Sequence, residues 1–162
     1  MDWFVKAFLK ASLAWLAAGV SLGIGMAVHP AWAVYRTAHL HMNLLGFVTM
    51  MIFGVAYHVI PRFTGHPLHS RHLAVCQWWA ANVGLALMVA GFVTRAHGFA
   101  PSTAMLATGG VLAALGAYVF VFNIWRTIDG RAVHRAVVAR AMAASPIAGA
   151  ARVPAASARP EL

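Results

Sequence analysis

Four long apolar runs, at about 4–28, 38–60, 73–95 and 102–125, fill the chain up to position 128, and charged, proline or glycine residues close each of them off. At a rise of ~1.5 Å per residue each run is long enough to cross a bilayer core of ~30 Å as a helix. None shows the period-two alternation of a barrel strand, and a helix is the remaining way to satisfy the backbone in lipid. The expected fold is therefore all-α, an integral membrane four-helix bundle over 1–128, followed by a basic, partly disordered cytoplasmic tail over 129–162.

The punctuation between the runs supports this division. Lys6 and Lys10 precede or enter the first run, and His29-Pro30 stops it. The following Ala31-Trp32-Ala33 is like a signal-peptidase site, but an apolar region of about 18 residues exceeds the ~7–15 of a signal peptide, so the first helix is expected to remain. Pro61 and the polar loop RFTGHPLHSRH end the second run. Small residues recur within the helices, with Gly19 and Gly23 in the first, Gly46 and Gly54 in the second, and Gly84 and Gly91 in the third. Such stripes let membrane helices approach closely. Lys6, Lys10, Arg62, Arg71 and the six arginines after the fourth run fall on one side, against Arg36 and Arg95 on the other. The positive-inside rule then puts both termini in the cytoplasm, with the chain a multi-pass protein of the inner (cytoplasmic) membrane.

Composition narrows the chemistry. The chain is 62% hydrophobic and 9% charged, against roughly 25% charged in a soluble domain. Its three acids are Asp2, Asp129 and Glu161, so the spans contain no carboxylate. That disfavours a carboxylate-driven proton or cation transporter and many hydrolytic mechanisms. The formal charge of +9 sits beside apolar runs rather than on a soluble basic face, so it marks topology and lipid contact and not nucleic acid. Cys76 is the only cysteine, which excludes an internal disulfide, a thiolate cluster and a CxxCH attachment of heme.

Histidine is what remains. The topology collects His29, His39, His41 and His97 at the outer side, and His58, His66, His69 and His72 at the inner side. His66, His69 and His72 form a candidate inner metal site, which His58 would either join or leave for a hydrogen bond to a neighbouring helix. On a regular helix His39 and His41 point about 200° apart and cannot both face one ion. From His41 the same face runs on through Leu44, Leu45, Val48, Ile52 and Val55, an apolar wall suited to a porphyrin and equally to plain helix packing. His41 and His58 lie roughly 100° off a common face, so two stacked hemes on one helix are not indicated. Read from the residues alone, His41 is either a ligand of heme iron or another redox metal, or a structural histidine.

The run His41-Met42-Asn43-Leu44-Leu45, followed by Gly54-Val55-Ala56-Tyr57-His58-Val59-Ile60-Pro61-Arg62, resembles the second transmembrane helix of subunit I in the nitric oxide reductase and C-family branches of the heme-copper oxidases. The resemblance implies that His41 is an axial ligand of a b-type heme near the outer surface, with Arg36 beside a heme propionate. The family's subunit I has about a dozen helices and takes its second heme ligand and its copper histidines from helices beyond these four. The opposite ligand would then be His29, His39, His97, a methionine such as Met26 or Met105, or a histidine of a second subunit, with His29 first in order because it ends the preceding helix on the same side.

The resulting expectation is a membrane heme b protein that transfers electrons or binds a diatomic gas (NO, O2 or CO), with no complete oxygen- or NO-reducing site in this chain alone, which leaves open a redox enzyme assembled with other subunits. Its surroundings would be the lipid bilayer and either a second copy or respiratory oxidase subunits. Two other classes stand beside it. One is a copper-handling or oxidase-assembly protein binding copper through Met26, His29, His39, His41 and Met42; the other is a structural accessory subunit without cofactor.

Overall fold

The computed structural model describes residues 1–130 together with 137, 138, 140 and 141. The expected basic tail otherwise lies outside the described residues. Among the described residues four helices are long and apolar enough to cross a membrane: α1 (Trp3–Val28), α2 (Pro30–Thr64), α3 (Arg71–Ala96) and α4 (Ser102–Asp129). No strand occurs among the described residues. The protein is an all-α, multi-pass membrane bundle.

The second span is longer than the apolar run that betrays it. It opens with a 3-10 segment at Pro30–Tyr35, where proline suits the first turn because its missing N–H has no helical partner there. An α-helical turn and a half at Arg36–His41 follows, then a wide π-helical segment at Met42–Thr49, then regular helix at Met50–Thr64. Pro61 lies inside this last piece, and the helix stops only at Gly65, whose φ of 70° is the left-handed conformation that glycine adopts without a Cβ penalty.

The helices run up, down, up and down, and both ends of the bundle are fixed by side chains. At the end carrying the amino terminus, Asp2 pairs with Arg71 at 3.4 Å. There the α2–α3 loop is tied to α4: the amide of Asn123, wholly buried, accepts from the Ser70 N–H at 3.0 Å and donates to the Ser70 carbonyl at 2.8 Å. Thr127 Oγ1 accepts from the His69 N–H at 3.0 Å and donates to the Asn123 carbonyl at 2.7 Å. At the far end, the Tyr35 hydroxyl bonds His97 Nε2 at 2.8 Å, joining the start of α2 to the α3–α4 turn.

Between these ends the interior is built on aromatic rings and glycine. Phe4, Phe8, Phe53 and Tyr57 are buried and pack with Phe120, the closest pair being Phe53 and Phe120 with ring centres 4.4 Å apart. In mid-bundle Trp15 of α1 lies under Gly46, where a Cβ would come within 2.6 Å of it, and its Nε1–H donates to the side-chain Oδ1 of Asn82 in α3 at 3.2 Å. The most extensive contact is between α3 and α4. There Gly84 and Gly109 bring backbone against backbone.

Candidate functional site

The outer group of histidines is gathered at one end of the bundle but not onto one point. His39 turns toward α1. Its Nδ1–H donates to the Gly19 carbonyl at 2.8 Å, since a carbonyl only accepts, and a Cβ on Gly23 would meet its ring at 2.9 Å. The Asn43 amide lies beneath it, donating to the His39 carbonyl at 2.9 Å and standing 3.4 Å from the ring's Nε2. Gly19 gives room for that amide, because a Cβ there would fall 2.8 Å from Asn43 Nδ2. The Gly19/Gly23 stripe is thus occupied within the chain, by His39 and Asn43.

His41 turns the other way, toward α3, with its ring 4.8 Å from that of Phe92. Its Nδ1–H donates to the Thr37 carbonyl one turn earlier at 2.8 Å. This fixes the tautomer and leaves the Nε2 lone pair without a hydrogen-bond partner among the described residues. The expected apolar wall beyond it divides: Leu45 packs against the core, while Leu44, Val48, Ile52 and Val55 stay exposed. Part of the reason is the π segment, whose wider turns set the later residues back from a regular α-helical register.

The remaining candidates have their own surroundings. His29, exposed after α1, stacks on Trp32 with centres 5.3 Å apart. His97 is engaged with Tyr35. Arg36 is exposed at the start of the α-helical turns that carry His41. Met42 is buried, so it does not share an open face with the histidines beside it.

At the opposite end, His58 does not reach a neighbouring helix. Its Nδ1 lies 3.0 Å from the Arg62 guanidinium of its own helix. His66, His69 and His72 do not form the inner metal site considered from sequence: no group of three or more His, Cys, Asp or Glu that could hold a metal ion exists among the described residues. His66 and His69 instead line a cavity with the end of α4, and His72 is exposed.

His41 therefore presents an imidazole oriented from behind by a main-chain carbonyl, with one nitrogen free at an apolar surface that could hold a metal. His39 does not, because its ring is pressed against α1 and both nitrogens have neighbours. Sequence reasoning separated the two by helical geometry. It did not assign Asn43 a part, although an asparagine four residues after His39 on an apolar helix was the available signal.

The pattern of the family described as "Cytochrome C and Quinol oxidase polypeptide I" matches residues 4–154, and the chain belongs to that family. It is 26% identical over 152 residues to the Cbb3-type cytochrome c oxidase subunit CcoN1 of Stutzerimonas stutzeri, a match covering 75% of this chain and 32% of that protein. Similarity extends to cytochrome c oxidase subunit 1 of Rhodobacter capsulatus, 29% identical over 119 residues and covering 58% of this chain and 22% of the relative. The putative cytochrome c oxidase subunit 1-beta of Streptomyces coelicolor is 27% identical over 113 residues, with 61% of this chain and 20% of the relative covered. The chain thus spans a third or less of the length of these curated relatives.

Proposed function

We propose that this chain is a membrane b-type heme protein in which His41 is an axial ligand, acting in electron transfer or in binding a diatomic gas such as NO, O2 or CO. The observation that carries the reading is the His41 ring itself, its Nδ1–H held by the Thr37 carbonyl and its Nε2 left open at an apolar surface. A hydrogen bond of this kind raises the basicity of the opposite nitrogen and fixes the plane of the ring. Phe92 packs against the ring, and Leu44, Val48 and Ile52 of the same helix present an exposed apolar stripe. When bound, the heme supplies one-electron or gas-binding chemistry, tuned by its axial ligands. Arg36, exposed shortly before His41, is the residue to hold a propionate through charge-assisted hydrogen bonds. His29 is the first in-chain choice for an opposite ligand, with His97, a second copy or another respiratory subunit as the other sources.

A copper site built on both His39 and His41 is less well supported, because the two rings face different helices.

The test is the absorption spectrum of the detergent-purified protein, expressed with ample heme, in the oxidised, dithionite-reduced and carbon-monoxide-treated states. A Soret band with reduced α and β bands is expected. Bands indifferent to carbon monoxide would assign electron transfer through a six-coordinate iron, and bands that shift would assign gas binding. Stoichiometric copper without porphyrin, or neither group, would sink the proposal.

The excess of Lys and Arg at the end shared by Asp2, the α2–α3 loop and the end of α4 supports cytoplasmic termini in an inner-membrane protein. A reporter fused after residue 162 is expected to be active in the cytoplasm, and a periplasmic signal would invert the placement.

A further inference from the structure

A second built feature lies at the other end of the bundle from His41, and it owes nothing to the heme reading. A cavity of about 500 Å³ opens where the α2–α3 loop meets the end of α4, lined by His66, Pro67, Leu68, His69, Arg126 and Asp129. Its walls are held in place by the Ser70–Asn123 and His69–Thr127 hydrogen bonds. Beside it runs a groove of about 400 Å³ that shares Arg126 and Asp129 and continues along α4 past Trp125, Phe122, Val121 and Tyr118. These positions recur at three- and four-residue spacing on one face and point into the apolar span.

The charges within this feature are arranged as a separated pair. Arg126 and Asp129 line both spaces, yet among the described residues neither makes an ion pair, whereas Asp2 and Arg71 at the same end do. Asp129 is also the last residue of α4, where the helix already presents carbonyl oxygens and negative partial charge. A carboxylate in that place calls for a cation from outside the helix. Arg126 one turn back offers a planar fork matched to phosphate, and His69 lines the same cavity.

We infer that this site holds a zwitterionic phospholipid with a phosphoethanolamine headgroup. Arg126, with His69 beside it, takes the phosphate, Asp129 takes the primary ammonium, and an acyl chain lies along the Tyr118–Trp125 face. The ammonium offers three N–H donors to the carboxylate, which a trimethylated choline lacks and a glycerol headgroup replaces with neutral hydroxyls. The apolar groove leading from the polar cavity into the span is what favours a lipid over a water-soluble phosphate compound.

The experiment is native mass spectrometry of the delipidated full chain, offered phosphatidylethanolamine, phosphatidylcholine and phosphatidylglycerol of the same acyl composition. Several-fold preferential retention of phosphatidylethanolamine is expected. Asp129→Asn should erase that preference while phosphate-bearing lipids still bind, and Arg126→Gln should weaken retention of all three. Both residues are exposed, so the fold should survive, and circular dichroism confirms it. Equal retention of the three lipids, or a preference unchanged in Asp129→Asn, would overturn the inference.

Discussion

His41→Ala is expected to remove essentially all of the Soret absorbance, while His39→Ala retains it. The two residues sit two apart on one helix and are chemically the same, so this comparison isolates orientation. In His41 the Nδ1–H is spent on the Thr37 carbonyl and Nε2 is open; nothing else in its surroundings replaces that lone pair. In His39 the Nδ1–H bonds the Gly19 carbonyl, the Asn43 amide lies 3.4 Å from Nε2, and Gly23 bounds the ring at the place where a Cβ would come within 2.9 Å. Removing His39 should cost stability of about 1 kcal/mol, the usual net worth of one hydrogen bond, without emptying the site. The measurement is the pyridine hemochrome content of each variant relative to the parent at matched yield. Equal loss of heme from both variants would mean that His39 also reaches the iron, which would require the α1–α2 contact to open. His29→Ala and His97→Ala complete the set. Whichever of them turns a carbon-monoxide-insensitive spectrum into a sensitive one supplies the opposite ligand, and if neither does, Met26, Met105 and a histidine of a second subunit are the remaining sources.

Much of this architecture was legible because membrane helices announce themselves by length and by the absence of charge. The four spans, their alternation and the divergence of His39 from His41 all follow from hydropathy and a 100° step. The grouping of histidines by end followed from topology in the same way, and the Tyr35–His97 bond is an instance of it. What sequence could not show was which small residue meets which side chain. The Gly19/Gly23 stripe has the look of a contact between chains, yet its occupants are His39 and Asn43 of the neighbouring helix, 16 to 24 positions along the chain. The π segment at Met42–Thr49 was also hidden, because i→i+5 bonding leaves no hydropathy signature. It helps to explain why Leu45 turns inward while Leu44, Val48 and Ile52 do not. The cavity at the other end was invisible for a further reason: it joins His66 and His69 to Arg126 and Asp129 across more than 50 positions, through Ser70–Asn123 bonds that no local pattern encodes.

The steepest loss of stability is expected from a single methyl group at Gly84. In water, a hydrophobic interface can often absorb such an addition by shifting flexible side chains; between membrane helices the association itself rests on close approach. A Cβ on Gly84 would lie 2.7 Å from the Ala113 amide nitrogen and 2.8 Å from the Gly109 carbonyl oxygen. A Cβ on Gly109 would lie 2.6 Å from the Gly84 carbonyl oxygen and 2.8 Å from the Met88 nitrogen. All four neighbours are main-chain atoms, so relief requires α3 and α4 to move apart over their whole contact. Overpacking of this kind costs about 1–3 kcal/mol and occasionally more, and Gly84→Ala belongs at the upper end. Gly110→Ala, one residue from Gly109 but with nothing within 4 Å, should be neutral or slightly stabilising, since alanine is the better helix former. Gly116→Ala falls between them, its nearest neighbour standing at 3.4 Å. Thermal unfolding followed by circular dichroism in one detergent gives the ranking. The Gly84→Ala, Gly109→Ala double variant should lose less than the sum of the singles, because the first separation of the helices already makes room for the second methyl. A Gly84→Ala midpoint equal to that of Gly110→Ala would mean that the two helices do not pack backbone to backbone, and the register of α3 on α4 would have to be redrawn.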